Sequence, residues 1–250
     1  YKGLPIDSII PYRKIKAKLS LLSDQIFFRG ANLETARYNN ISLRFLLSNS
    51  DYIEQKWAYK INAEQFFFGY NKGDYNISAR SSYLIYPQLE LGVRAEISSA
   101  QPEFLFHYVL LNNFLWYNNF DPVKSVNFGA FLRFGKKRDF LIEYQNFNIQ
   151  NFIYFNDSVK AVSANGNLNV QRIDVQKTFK LGNVYFKNKI IVQLSNKKEI
   201  TAIPELSTYQ SLYWQFKWFG SPMTSQIGLD FFYNSSYTAM AYNPALRAYH

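Results

Sequence analysis

The sequence contains no cysteine, which excludes a disulfide framework, a thiolate metal site and a cysteine nucleophile. Histidine is almost as scarce. His107 and His250 lie far apart and outside any metal-ligand spacing such as HExxH, so no metal centre is expected. Charged residues make up 18% of the chain, below the roughly 25% of soluble domains. Long apolar runs are missing too, and none reaches the roughly 18 residues of a membrane-spanning helix. The most apolar stretch, FLFHYVLLNNFLWY (104–117), is broken by His107, Asn112 and Asn113. That absence removes only one kind of membrane protein, because a barrel strand needs only about 9–11 residues. The chain starts at Tyr1 with no initiator methionine and no signal peptide, and so reads as a mature or truncated product. There is no fixed-period repeat, low-complexity tract or dividing linker, so residues 1–250 are expected to form a single domain.

Aromatics are abundant, at 19% with 23 Phe and 20 Tyr, and β-propensity favours such residues. The formal net charge is +10, which is compatible with nucleic acid, anionic lipid or anionic solutes as partners. Placement narrows the choice. In LELGVRAEIS (89–98), Leu89, Leu91, Val93, Ala95 and Ile97 alternate with Glu90, Gly92, Arg94, Glu96 and Ser98. A strand sends successive side chains to opposite faces, so this stretch has one apolar and one charged face.

The same period of two recurs in about twelve candidate strands bounded by turn residues. They are 13–22, 25–37, 41–48, 56–68, 75–86, 88–99, 111–134 with a bend near Asp121-Pro122, 139–155, 167–180, 183–194, 208–219 and 223–236. Tight junctions are expected near 23–24, 87, 136–137, 181–182 and 220–221, alternating with longer ones near 69–74, 100–110, 156–166 and 195–207. Brief turns at one end and long loops at the other mark a membrane barrel, although the junction at 49–55 is long for its side.

A soluble β-sandwich also alternates apolar and polar residues. Three features oppose it. Many candidate strands are far longer than the globular mean of about 5–6 residues. Their polar faces are rich in Asn, Gln, Ser and Tyr rather than Lys and Glu. Aromatics cluster at strand ends, as in Phe66–Phe68, Tyr83, Tyr86, Trp116-Tyr117, Tyr154-Phe155, Trp218-Phe219 and Phe231–Tyr233, which suits the girdles of a barrel. The expected fold is therefore an all-β transmembrane antiparallel barrel. Its lipid face would carry Leu91, Val93, Trp214, Phe216, Ile227 and Leu229.

The opposite parity gives the candidate pore lining. Its basic members are Lys60, Arg80, Arg94, Arg133, Arg172, Lys187, Lys189 and Lys217, with Lys14, Lys16 and Lys18 on the first strand. Its acidic members are Glu90, Glu96, Glu143, Asp174 and Asp230, together with Glu64. The basic set is the larger. If unpaired it would favour anions; if paired across neighbouring strands it would leave little net field. Phe131, Leu141 and Tyr213 add bulk on the same parity. A nucleic-acid groove needs bases stacked on aromatics beside the basic residues, whereas here the two mostly occupy opposite faces. No GxSxG, Walker or GxGxxG motif appears, no carboxylate pair stands out, and His107 has no evident acidic partner, so neither an enzyme nor a cofactor is expected.

The segments NNFLWYNNF (112–120), NFIYFND (151–157), VQKTFKLGNVYFKNKIIVQ (175–193), LSTYQSLYWQFKWF (206–219) and IGLDFFYNSSYTAMAYNPALRAYH (227–250) resemble the putative porin family of Bacteroidetes outer membranes. The similarity covers roughly the C-terminal 60% of the chain and is weak before about residue 75. It rests on the order and spacing of aromatic patterns. Such proteins usually continue for about three more strands to a terminal aromatic. The resemblance thus implies a barrel truncated at both ends, with about 16 strands when complete. It implies a bacterial outer-membrane location, with lipid and lipopolysaccharide outside and small hydrophilic solutes within. Two functions fit: a channel for passive diffusion, with a weak anion preference if the wall charge is unpaired, or a plugged or accessory barrel subunit among other envelope proteins.

Overall fold

The computed structural model describes residues 15–29, 35–49, 56–111, 114–135, 139–218, 222–244 and 248–249. A strand leaves its backbone N–H and C=O groups pointing sideways, and they must be paired by neighbours. Here the pairing follows chain order. Eleven strands form one sheet: β1 (Lys16–Arg29), β2 (Thr35–Ser48), β3 (Trp57–Phe68), β4 (Tyr75–Tyr86), β5 (Leu89–Ala100), β6 (Val123–Phe134), β7 (Phe140–Gln150), β8 (Leu168–Leu181), β9 (Val184–Ser195), β10 (Leu206–Lys217) and β11 (Thr224–Asn234). Each is antiparallel to the one before it, and each is 11 to 14 residues long. Among the described residues β1 and β11 have one strand neighbour each, so the sheet is open rather than closed into a barrel. No helix among them is long and apolar enough to cross a membrane.

Several expected boundaries are corrected. The segments 13–22, 25–37 and 41–48 are not three strands but two. Ser23 and Asp24, expected at a turn, pair with Ile41 and Asn40 inside the β1–β2 ladder. Asn40 is fully buried, and its amide donates to Asn71 Oδ1 at 2.7 Å and to Asp24 Oδ2 at 3.4 Å. Long-range partners thus occupy the polar groups that would otherwise favour a local turn. The long strand expected over 111–134 splits at Asn118–Pro122. Its first part forms a small hairpin, Tyr108–Leu111 with Phe114–Tyr117, and only Val123–Phe134 joins the sheet. The end of 139–155 leaves likewise, Ile153–Phe155 pairing with Ala161–Ser163.

The connections fall on two edges. The β2–β3, β4–β5, β6–β7, β8–β9 and β10–β11 connections leave the sheet at one edge. Residues 69–74, 101–122, 151–167 and 196–205 lie at the other and are longer on the whole. In the two-residue turn at 182–183 Leu181 pairs directly with Val184, and Gly182 has φ +58°. That left-handed value suits glycine in a two-residue hairpin loop.

Burial is inverted relative to a soluble protein. Val93 is 57% exposed, and Leu19, Leu21, Phe128, Trp214, Ile227 and Leu229 are exposed on the same side of the sheet. On the other side Glu90, Glu143, Gln145, Asp174 and Ser211 are buried. The one compact apolar cluster of buried residues described, Val109, Phe155 and Ala161, lies among the long connections, where Leu105, Phe106, Trp116, Phe120 and Val159 pack on it. Trp116 and Phe155, expected in an aromatic girdle, belong to this cluster, with ring centroids 5.9 Å apart. Aromatics do line the short-turn edge: Trp57 lies 5.3 Å from Tyr59, and Trp214 lies 4.6 Å from Phe216.

Candidate functional site

The strand registers place the predicted lining residues from Lys16 onward on the polar face. Lys60 lies opposite Arg80, Arg80 opposite Arg94, and Glu90 opposite Arg133. Glu96 lies opposite Asn127, Glu143 opposite Asp174, and Arg172 opposite Gln145. Lys187 and Asp230 both face Ser211, Lys189 faces Gln176 and Tyr209, and Lys217 faces Thr224. Lys14 lies outside the described residues. Arg44 and Lys180 share this face and were missed, although extending the same parity to 41–48 and to the end of 167–180 would have found them.

Pairing is uneven. The middle of the wall is tied by Arg94–Glu143, by Arg172–Asp174 at 2.6 Å, by Arg133–Glu90 at 3.6 Å and by Lys189–Asp174 at 4.0 Å. Arg44 meets Glu64 at 2.7 Å and donates to it through both Nε and Nη2. Among the described residues Lys60, Arg80, Lys187 and Lys217 make no ion pair. The two readings of the basic surplus therefore each hold for part of the face: most of the arginines are paired, and several lysines are not.

Phe131 organises the centre. It is 3% exposed although it stands on the polar face. Arg80 lies over its ring at 4.5 Å and Arg133 at 5.0 Å, two cation–π contacts to one ring. Gly92 lies directly opposite, and a Cβ there would come within 2.2 Å of the Phe131 ring. Gly228 lies opposite Tyr213, where a Cβ would crowd the Leu212 carbonyl and the Tyr213 Cβ at 2.6 Å, and the Tyr213 ring stacks on Tyr185 at 4.9 Å. Leu141 also sits on this face, opposite Arg133.

The long-loop edge is fastened by polar contacts. Asp74 accepts from Asn71 Nδ2 at 2.7 Å and from the Gln101 backbone N–H at 2.8 Å. Burial holds its carboxyl above the usual carboxylate range, against the opposing effect of those two hydrogen bonds. The Tyr70 hydroxyl donates to the Pro102 carbonyl at 2.6 Å, which ties the 69–74 turn to the next long connection. His107 is part of this scaffolding. Its Nδ1 lies 3.0 Å from the Asn118 carbonyl, and its ring lies 6.0 Å from that of Phe120. No group of three metal-ligating side chains occurs among the described residues.

A polar, charged sheet face backed by an exposed apolar one is the arrangement of a barrel wall. Comparison with known sequences agrees. No curated protein matches the chain. A family described as putative porin matches residues 11–250, and so extends through the N-terminal strands where the resemblance to it is weak. With nearly the whole chain covered by that match, and with an all-antiparallel sheet, the chain belongs to the putative porin family.

Proposed function

We propose that this sheet is the greater part of a transmembrane barrel in a bacterial outer membrane, one that passes small hydrophilic solutes by diffusion. The observation that carries the reading is the inverted burial: exposed Leu, Val, Ile, Phe and Trp on one face, buried Glu, Asp and Gln on the other. An exposed apolar face of this extent needs a lipid solvent, and strands of 11 to 14 residues have the length to cross one. Closure would come from further strands pairing the free edges of β1 and β11, about 16 in all. The wall has no catalytic role. The unpaired Lys60, Lys187 and Lys217 give the lumen a weak preference for anions.

The apolar cluster at the long-loop edge favours a second reading, in which those connections narrow or close the mouth of an accessory subunit. Leu168, on the polar-face parity at that end of β8, is only 2% exposed. Single-channel conductance in a planar bilayer separates the two. Discrete ohmic steps are expected from the channel. A protein that inserts without conducting supports the accessory subunit.

A further inference from the structure

Resting on the channel reading, we propose that the wall carries a discrete station for small oxyanions, a phosphate or carboxylate group, built from Lys60, Arg80 and Arg94. The first argument is register. Lys60 stands directly opposite Arg80, and Arg80 directly opposite Arg94, so three cations follow one another across β3, β4 and β5. Neighbouring strands lie only about 4.8 Å apart. Like charges placed directly opposite oppose pairing. Elsewhere on this face Arg44 stands opposite Glu64 and Arg133 opposite Glu90, and the like-charged pair Glu143–Asp174 is neutralised by Arg94, Arg172 and Lys189. The Lys60–Arg80–Arg94 row has fewer counter-charges than cations.

The second argument is neutralisation. Of the three, only Arg94 has a carboxylate partner among the described residues, Glu143. Even so, the buried Nε of Arg94 has no hydrogen-bond partner. Lys60 makes no ion pair, and Arg80 lies over the Phe131 ring, with Glu90 attracting it only from beyond ion-pair distance. Among the described residues no hydrogen bond uses the Arg80 N–H donors, which leaves them for a ligand.

The third argument is order. Phe131 is locked by packing and by the close approach of Gly92, so the Arg80 guanidinium rests on a rigid platform. A fixed planar fork matches the paired oxygens of a carboxylate or phosphate, while the Lys60 ammonium adds a point charge beside it. Chloride would feel only the field, whereas an oxyanion would also accept directed hydrogen bonds.

The test is chloride current through the reconstituted full-length protein, titrated with inorganic phosphate at constant ionic strength. The station requires a saturable reduction of current. Arg80→Gln should weaken the half-inhibiting phosphate concentration about tenfold, the loss of one charge-assisted pair. Lys187→Gln removes the same charge elsewhere on the wall and should shift that concentration far less, through the field alone. A non-saturating effect, or an equal shift in both variants, would overturn the station while leaving the channel intact. A chain that inserts but never conducts contradicts the channel reading instead. Calorimetry of phosphate binding to the detergent-solubilised chain then decides the station. Saturable heat lost in Arg80→Gln supports it, and no heat in the unsubstituted chain overturns it.

Discussion

Placing an arginine at Val93 probes the two faces most sharply. Val93 is the fifth residue of the 12-residue strand Leu89–Ala100 and is 57% exposed on the apolar face. Twelve residues at about 3.3 Å each make a strand of about 40 Å. Tilted by about 40°, that strand rises about 30 Å, the thickness of the hydrocarbon layer. Val93 therefore falls near the midplane, where an arginine on the lipid side costs about 2–4 kcal/mol. Ser78→Arg is the companion on the polar face, where residue 78 pairs with Asn62 and Glu96. The new cation there meets water and a nearby carboxylate, so its cost should stay within about 0.5 kcal/mol. The assay is reversible denaturant unfolding from lipid vesicles for both variants. Equal costs, or a larger cost at Ser78, would refute the assignment of faces.

Gly92→Val should cost about 1–3 kcal/mol in the same assay, because its Cβ must displace the packed Phe131 ring, and adding Phe131→Leu should restore much of the loss. A costless Gly92→Val would show that the approach is not tight. For Asp74, a folded-state pKa raised above 3.8 means that ionisation disfavours the fold. Stability of the unsubstituted chain relative to Asp74→Asn should therefore be greatest and flat below 3.8, and should fall as pH rises through the raised value. Thermal unfolding of both proteins across this range checks the sign, and a difference that grows with pH would reverse it. Charge reversal at Lys187 and Lys189 should move the reversal potential toward cations at 0.1 M salt and much less at 1 M, where the Debye length falls to about 3 Å. An unchanged potential at low salt would mean that these lysines do not face the conducting path.

How much of this was legible in the sequence depended on whether a residue's surroundings were local. The alternation of Leu91, Val93 and Ala95 against Glu90, Arg94 and Glu96 fixes two faces without knowledge of any neighbour, and β3, β4 and β5 lie close to where the period of two puts them. Turn residues misled where their partners were distant. Asn39-Asn40 and Ser23-Asp24 have turn chemistry, yet all four lie inside the β1–β2 ladder with Asp24 opposite Asn40, and Asn40 also reaches Asn71. The split of 111–134 was half legible in Asp121-Pro122, but the packing of Trp116 against Phe155 joins two connections far apart in the chain. At the candidate site, parity assigned each charged residue to its face and could not say which charges meet. The Arg94–Glu143 pair and the stacking of Arg80 on Phe131 depend on register between strands, which a period of two leaves open.

The central claim, that the apolar face meets lipid and the charged face meets water, is open to a direct measurement. The chain has no cysteine, so each introduced one becomes the sole labelling site. Single cysteines at Leu91, Val93, Ala95 and Ile97, and at Glu90, Arg94, Glu96 and Ser98, would each carry a nitroxide in the reconstituted protein. Collision rates are then read with oxygen, which concentrates in lipid, and with a water-soluble nickel complex. The account predicts strict alternation, with the first four positions open to oxygen and closed to nickel and the second four the reverse. First-set labels shielded from both reagents would place that face against a protein core and contradict the barrel.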